Sequence, residues 1–446
     1  MRIIIAGAGR MGFHLAELLA LENNDIILID QNQQVLDYVR TQLDVLTIKG
    51  DAASFEILEK VQVADSQLFI AATTSEKTNL VAAMLAKKMG TKQTIARLEH
   101  TDHLTDGQHL ILEELGIDAS ISPKQLAAEE IHRLVQSCSF SEIYPFEDGK
   151  MSIVGVILER SSRLINRTLE DIAENDRLDD FLIIALQRSH RTIIPNGNTI
   201  LRKGDKVYFM TKASGTEKIE ASVGCQRMEV NKVMIIGGTG LGYETAKLLE
   251  NDYQVTLVES DRQRCLEMAT TLSNTLVING VENDFKLLET EGLAQMDVFI
   301  TATDNEETNI ITGLLAKEKG AKKTIALVEN RNYIPISHEI GVDSLINKKL
   351  IAANEVFRYV RKGKVAAVTN LQSIDAEIIV YELTKNNVLT RKPIKKLRLP
   401  DAVIIGGIIR AEETYIPNGD FQMQQGDKVI VFTLPHSISQ VEKIFK

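Results

Sequence analysis

Two stretches of this chain are copies of each other, and that repetition limits what it can fold into more than any other feature. Arg2-Ile3-Ile4-Ile5-Ala6-Gly7-Ala8-Gly9-Arg10-Met11-Gly12 recurs as Lys232-Val233-Met234-Ile235-Ile236-Gly237-Gly238-Thr239-Gly240-Leu241-Gly242. The same offset, Gly7 to Gly237, carries Gly50 to Gly280 and Phe55 to Phe285. It also carries Ala72-Thr73, Glu76 and Thr78-Asn79 onto Ala302-Thr303, Glu306 and Thr308-Asn309, and Thr94-Ile95-Ala96 onto Thr324-Ile325-Ala326. A smaller segment repeats behind each copy. Ile194-Pro195-Asn196-Gly197 and Lys203-Gly204-Asp205-Lys206-Val207 return as Ile416-Pro417-Asn418-Gly419 and Gln425-Gly426-Asp427-Lys428-Val429. Matches held in register over such lengths mark duplicated structural units. Length alone suggests about three domains; the repeats divide the 446 residues into large, small, large and small, at 1–137, 138–224, 230–362 and 363–446.

The large segments alternate short apolar runs with helical patterns. Ile3–Ala6, Ile26–Ile29, Val45–Ile48 and Leu68–Ala71 read as strands, with helices predicted at Gly12–Leu21, Val35–Leu43, Phe55–Lys60 and Thr78–Met89. Strands that are apolar throughout are buried on both faces, as in a parallel sheet. The fold class is therefore α/β, with two doubly wound Rossmann-like parallel-sheet domains. The small segments carry strands at Ile153–Leu158, Phe181–Gln187 and Lys206–Met210, a helix at Ser214–Ser222, and turn chemistry at Asn196-Gly197 and Gly204-Asp205, which is a small α+β domain.

Several function classes fall away on composition. No apolar run approaches the ~20 residues needed to cross a bilayer, and Met1–Gly7 is too short for a signal peptide. The expectation is a cytoplasmic chain that reaches a membrane only through a partner. Cys138, Cys225 and Cys265 are isolated, giving neither a disulfide framework nor a zinc site. A net charge of −10 is the wrong sign for nucleic acid, and no basic cluster is long enough to reverse that.

Chemistry concentrates at Gly7-Ala8-Gly9-Arg10-Met11-Gly12. Gly-x-Gly-x-x-Gly alone is weak, but here it follows a strand and opens a helix. The first glycine permits the turn, the second admits a pyrophosphate, and the third lets helix and strand pack closely, with helix N–H groups aimed at phosphate. Asp30 ends the second strand, where a carboxylate suits a ribose diol and disfavours a 2′-phosphate. Asp51, Thr73-Thr74 and Arg97 follow later strands, where such folds hold ligands. Thr73 and Thr74 serve equally well as a helix cap, and Arg97 as half of a surface salt bridge.

In the second copy, Gly237-Gly238-Thr239-Gly240-Leu241-Gly242 has a side chain at the middle glycine. Glu259 keeps the acidic position, while Val281 and Leu327 replace Asp51 and Arg97. This predicts weaker binding there, a different ligand such as a mononucleotide, or none. His100, His103 and His109 sit in a polar stretch better read as a solvated loop than as a metal site. No phosphate-binding Walker loop, nucleophile elbow or zincin motif occurs, and nothing supplies a general acid or base beside a nicotinamide. No catalytic residue and no metal ligand is expected. The rival from another class is an NAD-dependent oxidoreductase with one degenerate half.

These residues carry a resemblance. Ile5–Gly12, Leu28-Ile29-Asp30, Lys49-Gly50-Asp51-Ala52, Ala71-Ala72-Thr73 and the Ile194–Gly197 and Lys203–Asp205 turns are similar to those of the TrkA family, the tandem-RCK subunits of bacterial Trk potassium-uptake systems. The resemblance covers essentially the whole chain, alternating two N-terminal and two C-terminal RCK domains. It implies a nucleotide-sensing regulator with NAD(H) or ATP/ADP as ligand. It also implies a homo-oligomeric ring, dimer or tetramer, on the inner face of a potassium-conducting, TrkH-like membrane subunit. Carried over to this sequence, the nucleotide would be held by Gly7–Gly12, Asp30, Thr73-Thr74 and Arg97, and in the second half by Gly237–Gly242 and Glu259. A sensor serving a different transporter is the other reading that stays open.

Overall fold

The computed structural model describes residues 1–20, 24–99, 111–137, 139–146, 149–175, 180–189, 191–224, 229–330, 332–360, 367–370, 374, 376–383, 388–397, 399–400 and 402–445. Of the sequence features above, Cys138, Cys225, His100, His103 and His109 lie outside the described residues. Two compact units emerge, one of residues 1–127 with 348–360, the other of 128–347 with 361–446.

The first unit is built on a six-stranded sheet. Its strands are β1 (Arg2–Ala6), β2 (Asp25–Asp30), β3 (Leu46–Lys49), β4 (Leu68–Ala71), β5 (Gln93–Arg97) and β6 (Ala119–Ile121). All pairings are parallel, in the order β3-β2-β1-β4-β5-β6. Because side chains alternate across a strand, Ile3, Ile5 and Leu28 enter one core with Leu15 and Leu19 of the helix Arg10–Ala20. Ile4, Ala6 and Ile29 enter the other, with Phe69, Ala82 and Ala86. Burial on both faces is what the unbroken apolar runs foretell. The first of these cores is completed from far along the chain, by Ala352, Ala353 and Val356 of the helix Lys348–Val360.

The repeated polar residues of this sheet have structural duties. Lys87 Nζ bonds the Asp118 carboxylate at 2.7 and 2.8 Å, and Asp118 Oδ2 accepts from the Thr94 amide at 2.7 Å. Lys317, Asp343 and Thr324 repeat the arrangement in the second unit.

In the second unit, β7 (Glu142–Phe146), β8 (Met151–Ile157), β9 (Phe181–Arg188), β10 (Arg191–Ile193) and β11 (Lys206–Lys212) form an antiparallel sheet ordered β10-β9-β11-β8-β7. A second parallel sheet follows, ordered β14-β13-β12-β15-β16-β17. It is made of β12 (Lys232–Ile236), β13 (Gln254–Glu259), β14 (Thr275–Asn279), β15 (Val298–Thr301), β16 (Lys323–Leu327) and β17 (Ser344–Ile346). The chain ends in β18 (Ala367–Asn370), β19 (Glu377–Glu382), β20 (Val403–Arg410), β21 (Glu413–Tyr415) and β22 (Lys428–Thr433), ordered β18-β19-β22-β20-β21.

The two antiparallel sheets share one core, in which Tyr144, Ile153, Tyr208 and Met210 meet Ile378, Val380, Ile409 and Phe432. Gly406 and Gly407 make room for it: a Cβ at Gly407 would lie 2.5 Å from Met151 Cε. The repeated Gly-Asp turns are structural as well. Asp205 pairs with Arg188 at 2.6 and 2.8 Å, and Asp427 with Arg410 at 2.8 and 2.9 Å. Lys323, buried at the start of β16, donates to Leu134 O and Phe140 O, at the C-terminal end of the helix Pro123–Gln136 and just beyond it.

Candidate functional site

The glycine loop leaves the sheet where β1 has β2 on one side and β4 on the other, the switch point at which open α/β sheets bind ligands. The Gly7 amide donates to Ile29 O, and the Ala72 amide to Ala6 O, both at 2.7 Å, so the loop is fixed from both flanks. Gly7 has φ +102°, and a Cβ on it would stand 2.8 Å from the Thr73 amide nitrogen. At Gly12 a Cβ would lie 1.8 Å from Gly7 O, which is the close helix–strand approach expected of the third glycine. Gly9 is different: it is exposed, and a Cβ there meets nothing within 4 Å. That is the open space a pyrophosphate needs over the helix N-terminus.

Asp30 is aimed at this loop by two backbone amides, Ala8 N to Oδ2 at 2.7 Å and Asn32 N to Oδ1 at 2.8 Å. Asp51 follows β3 beside it, where Gly50 N donates to Asp30 O at 3.0 Å; the Asp51 carboxylate accepts from Ala53 N and is exposed. Thr73 abuts Gly7 and is clamped by Asn79, whose Oδ1 accepts from Thr73 N (2.9 Å) and Thr73 Oγ1 (2.7 Å). Asn79 Nδ2 donates to Thr73 O and Arg97 O, joining the ends of β4 and β5.

Asp30 and Thr73 thus touch the Gly7–Gly12 loop, and Asp51 follows the strand beside Asp30. Arg10 is exposed on the first helical turn, whereas Met11 is a core residue. Thr74 is exposed, and the cap of the helix Glu76–Met89 is Ser75 rather than either threonine. Arg97 forms a salt bridge with Glu99 at 2.8 Å. Burial pushes the Glu99 carboxyl up, but Lys124 and Arg97 beside it prevail and hold it below the usual glutamate value.

In the second unit the geometry is repeated with changed chemistry. Gly237 has φ +98°, a Cβ at Gly242 would lie 1.9 Å from Gly237 O, and Leu241 is buried. Glu259 takes Asp30's role, accepting from Gly238 N at 2.7 Å and Asp261 N at 2.7 Å. Thr239 caps the helix Gly240–Leu249: its hydroxyl donates to Ala302 O at 2.7 Å and accepts from Gly242 N at 3.4 Å. Leu327 is buried in β16, and Val281 points into solvent.

Beside Thr239 opens a cavity of about 350 Å³ lined by Gly237, Thr239, Glu259, Arg264, Glu282 and Thr303, among others. Glu282, one residue past the position read as lost, restores a carboxylate to this wall and accepts from Ser260 Oγ at 3.1 Å. Neither Glu282 nor Arg264 is marked by the repeat, because their partners across the halves differ. Asn79 and Asn309 were marked by it: Asn309 makes the same four bonds, to Thr303 and Leu327 O. Among the described residues, no group of three or more His, Cys, Asp or Glu side chains could hold a metal ion, and no helix is long and apolar enough to cross a membrane.

A doubly wound sheet with a glycine loop and a strand-end carboxylate, duplicated and followed each time by a small antiparallel domain, defines a tandem nucleotide-binding-type protein. The TrkA-N domain family matches residues 3–123 and 233–348, and the TrkA-C domain family residues 153–224 and 378–446. The Trk system potassium uptake protein TrkA homolog 1 of Methanosarcina mazei is 32% identical over 456 residues, all of both chains. The TrkA of Haemophilus influenzae is 32% identical over 456 residues, covering 100% of this chain and 99% of its own. The chain belongs to the TrkA family of Trk-system potassium uptake proteins. Its fold also matches that of the GsuK channel bound to NAD, with a TM-score of 0.63 at 15% identity over 100% of this chain and 78% of that one. The GsuK RCK domain matches with a TM-score of 0.62 at 14% identity, covering 100% and 94%.

Proposed function

We propose that this chain is the nucleotide-sensing regulatory subunit of a potassium-uptake system. It binds NAD(H) or ATP/ADP at the first glycine loop and consumes neither. Copies assemble into a ring on the cytoplasmic face of a potassium-conducting, TrkH-like membrane subunit. Its working parts are the four domains 1–137, 138–224, 230–362 and 363–446. The observation that carries this is the open space at Gly9 above a helix N-terminus, with the Asp30 carboxylate held beside it, in a chain that aligns from end to end with TrkA relatives. The NAD bound to the similarly folded GsuK channel supports the choice of ligand.

The loop amides would take the pyrophosphate and Asp30 a ribose diol, as the residues present allow. A bound nucleotide shifts a conformational equilibrium only by its differential affinity for the two states, typically about 1–3 kcal/mol per site. Repeated around a ring, such increments would bias a gate.

Calorimetry with NAD, NADH, NADP, ATP and ADP on the wild type and on Asp30→Ala tests this. Binding of NAD(H) or ATP/ADP without turnover, weakened in the variant, is expected. Preference for NADP, or consumption of the cofactor with a small substrate, would overturn it in favour of an oxidoreductase.

A further inference from the structure

The two glycine loops differ in a way that bears on what each can hold. At Gly9 an added side chain meets only open space. At the matched position in the second half stands Thr239, and its hydroxyl is already engaged. It gives its proton to Ala302 O and takes the Gly242 amide, a helix-terminal donor that an anion would otherwise use.

Charge points the same way. Glu259, Glu282 and Asp304 line the second cavity against Arg264. The corresponding positions of the first half are Asp30, Ala52, Thr74 and Val35, the last matched through the helix caps Asn32 and Asp261, each three residues before it. The second wall therefore carries three carboxylates, against two in the first half, Asp30 and the Asp51 that precedes Ala52. Like charges held close together cost free energy that water only partly screens. A pyrophosphate here would meet both a filled loop and added negative charge. Glu259, fixed by two amides, still presents lone pairs to a ribose diol. The Arg264 side chain, whose charge also acts on the Asp261 carboxylate, is the cation on this wall available to a single phosphate.

Resting on the nucleotide reading above, we propose that the second-half cavity binds a nucleoside with a free ribose diol and at most one phosphate, and rejects dinucleotides. Thr239 is the residue that sets this preference. The two halves of one chain then answer different nucleotides.

The test uses the full chain carrying Gly9→Glu to silence the first loop, with Asp30→Ala as the alternative silencing variant should Gly9→Glu not fold. AMP, adenosine and NAD are titrated by calorimetry. AMP or adenosine should bind one site per chain, with NAD weaker by about tenfold or more. Adding Thr239→Gly should tighten NAD by about tenfold while leaving AMP within about threefold. NAD binding as tight as AMP in the silenced chain, no effect of Thr239→Gly on NAD, or no AMP or adenosine binding would each overturn the proposal. A wild-type chain that holds AMP at the second cavity but nothing at the first would instead sink the sensor reading and leave this one standing.

Discussion

Asn79 is the residue whose removal should do most damage for its size. It is buried, and its amide makes four hydrogen bonds: it accepts from Thr73 N and Thr73 Oγ1 and donates to Thr73 O and Arg97 O. Asn79→Ala deletes all four. Thr73 Oγ1 keeps a contact with Ser75 O, but the Thr73 amide and the Arg97 carbonyl lose the partner that held them at the ends of β4 and β5. A neutral hydrogen bond contributes about 1 kcal/mol net, and a buried group left unpaired costs about 1–3 kcal/mol. Two such groups give an expected destabilisation of roughly 2–6 kcal/mol. Asn309→Ala should cost at least as much, because the bonds of Asn309 are fully buried while those of Asn79 are partly exposed. Urea unfolding followed by circular dichroism measures the loss, and hydrogen exchange resolved by mass spectrometry assigns it to residues 68–97 or 298–327. Nucleotide affinity at the first loop should fall as well, since Thr73 abuts Gly7. A change below about 0.5 kcal/mol in both variants, with exchange unaltered, would show that these amides do not hold the strand ends together.

Three further outcomes follow from the packing. Gly9→Ala should leave the melting temperature nearly unchanged, whereas Gly12→Ala, whose Cβ would press on Gly7 O, should cost about 1–3 kcal/mol in a thermal-shift comparison. Glu142 and Lys206 meet at 2.6 Å across Gly155, with Tyr144 and Tyr208 hydroxyls on the same carboxylate. Lys206→Met alone, which strands that carboxylate, should destabilise by about 3–5 kcal/mol. The double change Glu142→Leu with Lys206→Met should recover most of that, since the second small domain has Ala367, Val380 and Ile430 at the Glu142, Gly155 and Tyr208 positions; a double-mutant cycle showing simple additivity would refute this. Burial raises the Glu130 carboxyl above the ordinary 4.5, against the pull of Arg133 and with Glu142 adding to the rise. A folded value above the unfolded one means a contribution present below pH 4.5 and lost as pH climbs through the folded value. Glu130→Gln should therefore lose less stability than wild type as the pH is raised above 4.5, measured as urea midpoints.

Much of this protein was legible in its residues. Unbroken runs such as Ile3-Ile4-Ile5-Ala6 demand burial on both faces, and only a covered parallel sheet supplies it. The glycine loop and Asp30 were legible because strand, turn and helix are local, and the required backbone at Gly7 admits almost nothing but glycine. Duplication exposed more of the framework, Thr94 and Asn79 included, although it could not say what they do.

Tertiary structure decided everything that depends on residues distant in sequence meeting in space. The helix Lys348–Val360 belongs by position to the second large segment, yet Ala352, Ala353 and Val356 complete the first sheet's core. Any amphipathic helix presents the same periodicity whichever apolar surface it covers. Arg97 reads equally as a phosphate ligand or a salt-bridge partner until Glu99 is seen at 2.8 Å. Glu282 enters the cavity wall where a residue-for-residue match finds Val281, because a turn can supply a carboxylate from the next position along. Thr239 is visible in sequence as a departure from glycine, but where its hydroxyl goes is set by Ala302 O, 63 residues away. Sequence fixes the periodicities and backbone freedoms that generate the sheets; which side chains then share a cavity depends on how those sheets bring distant loops together.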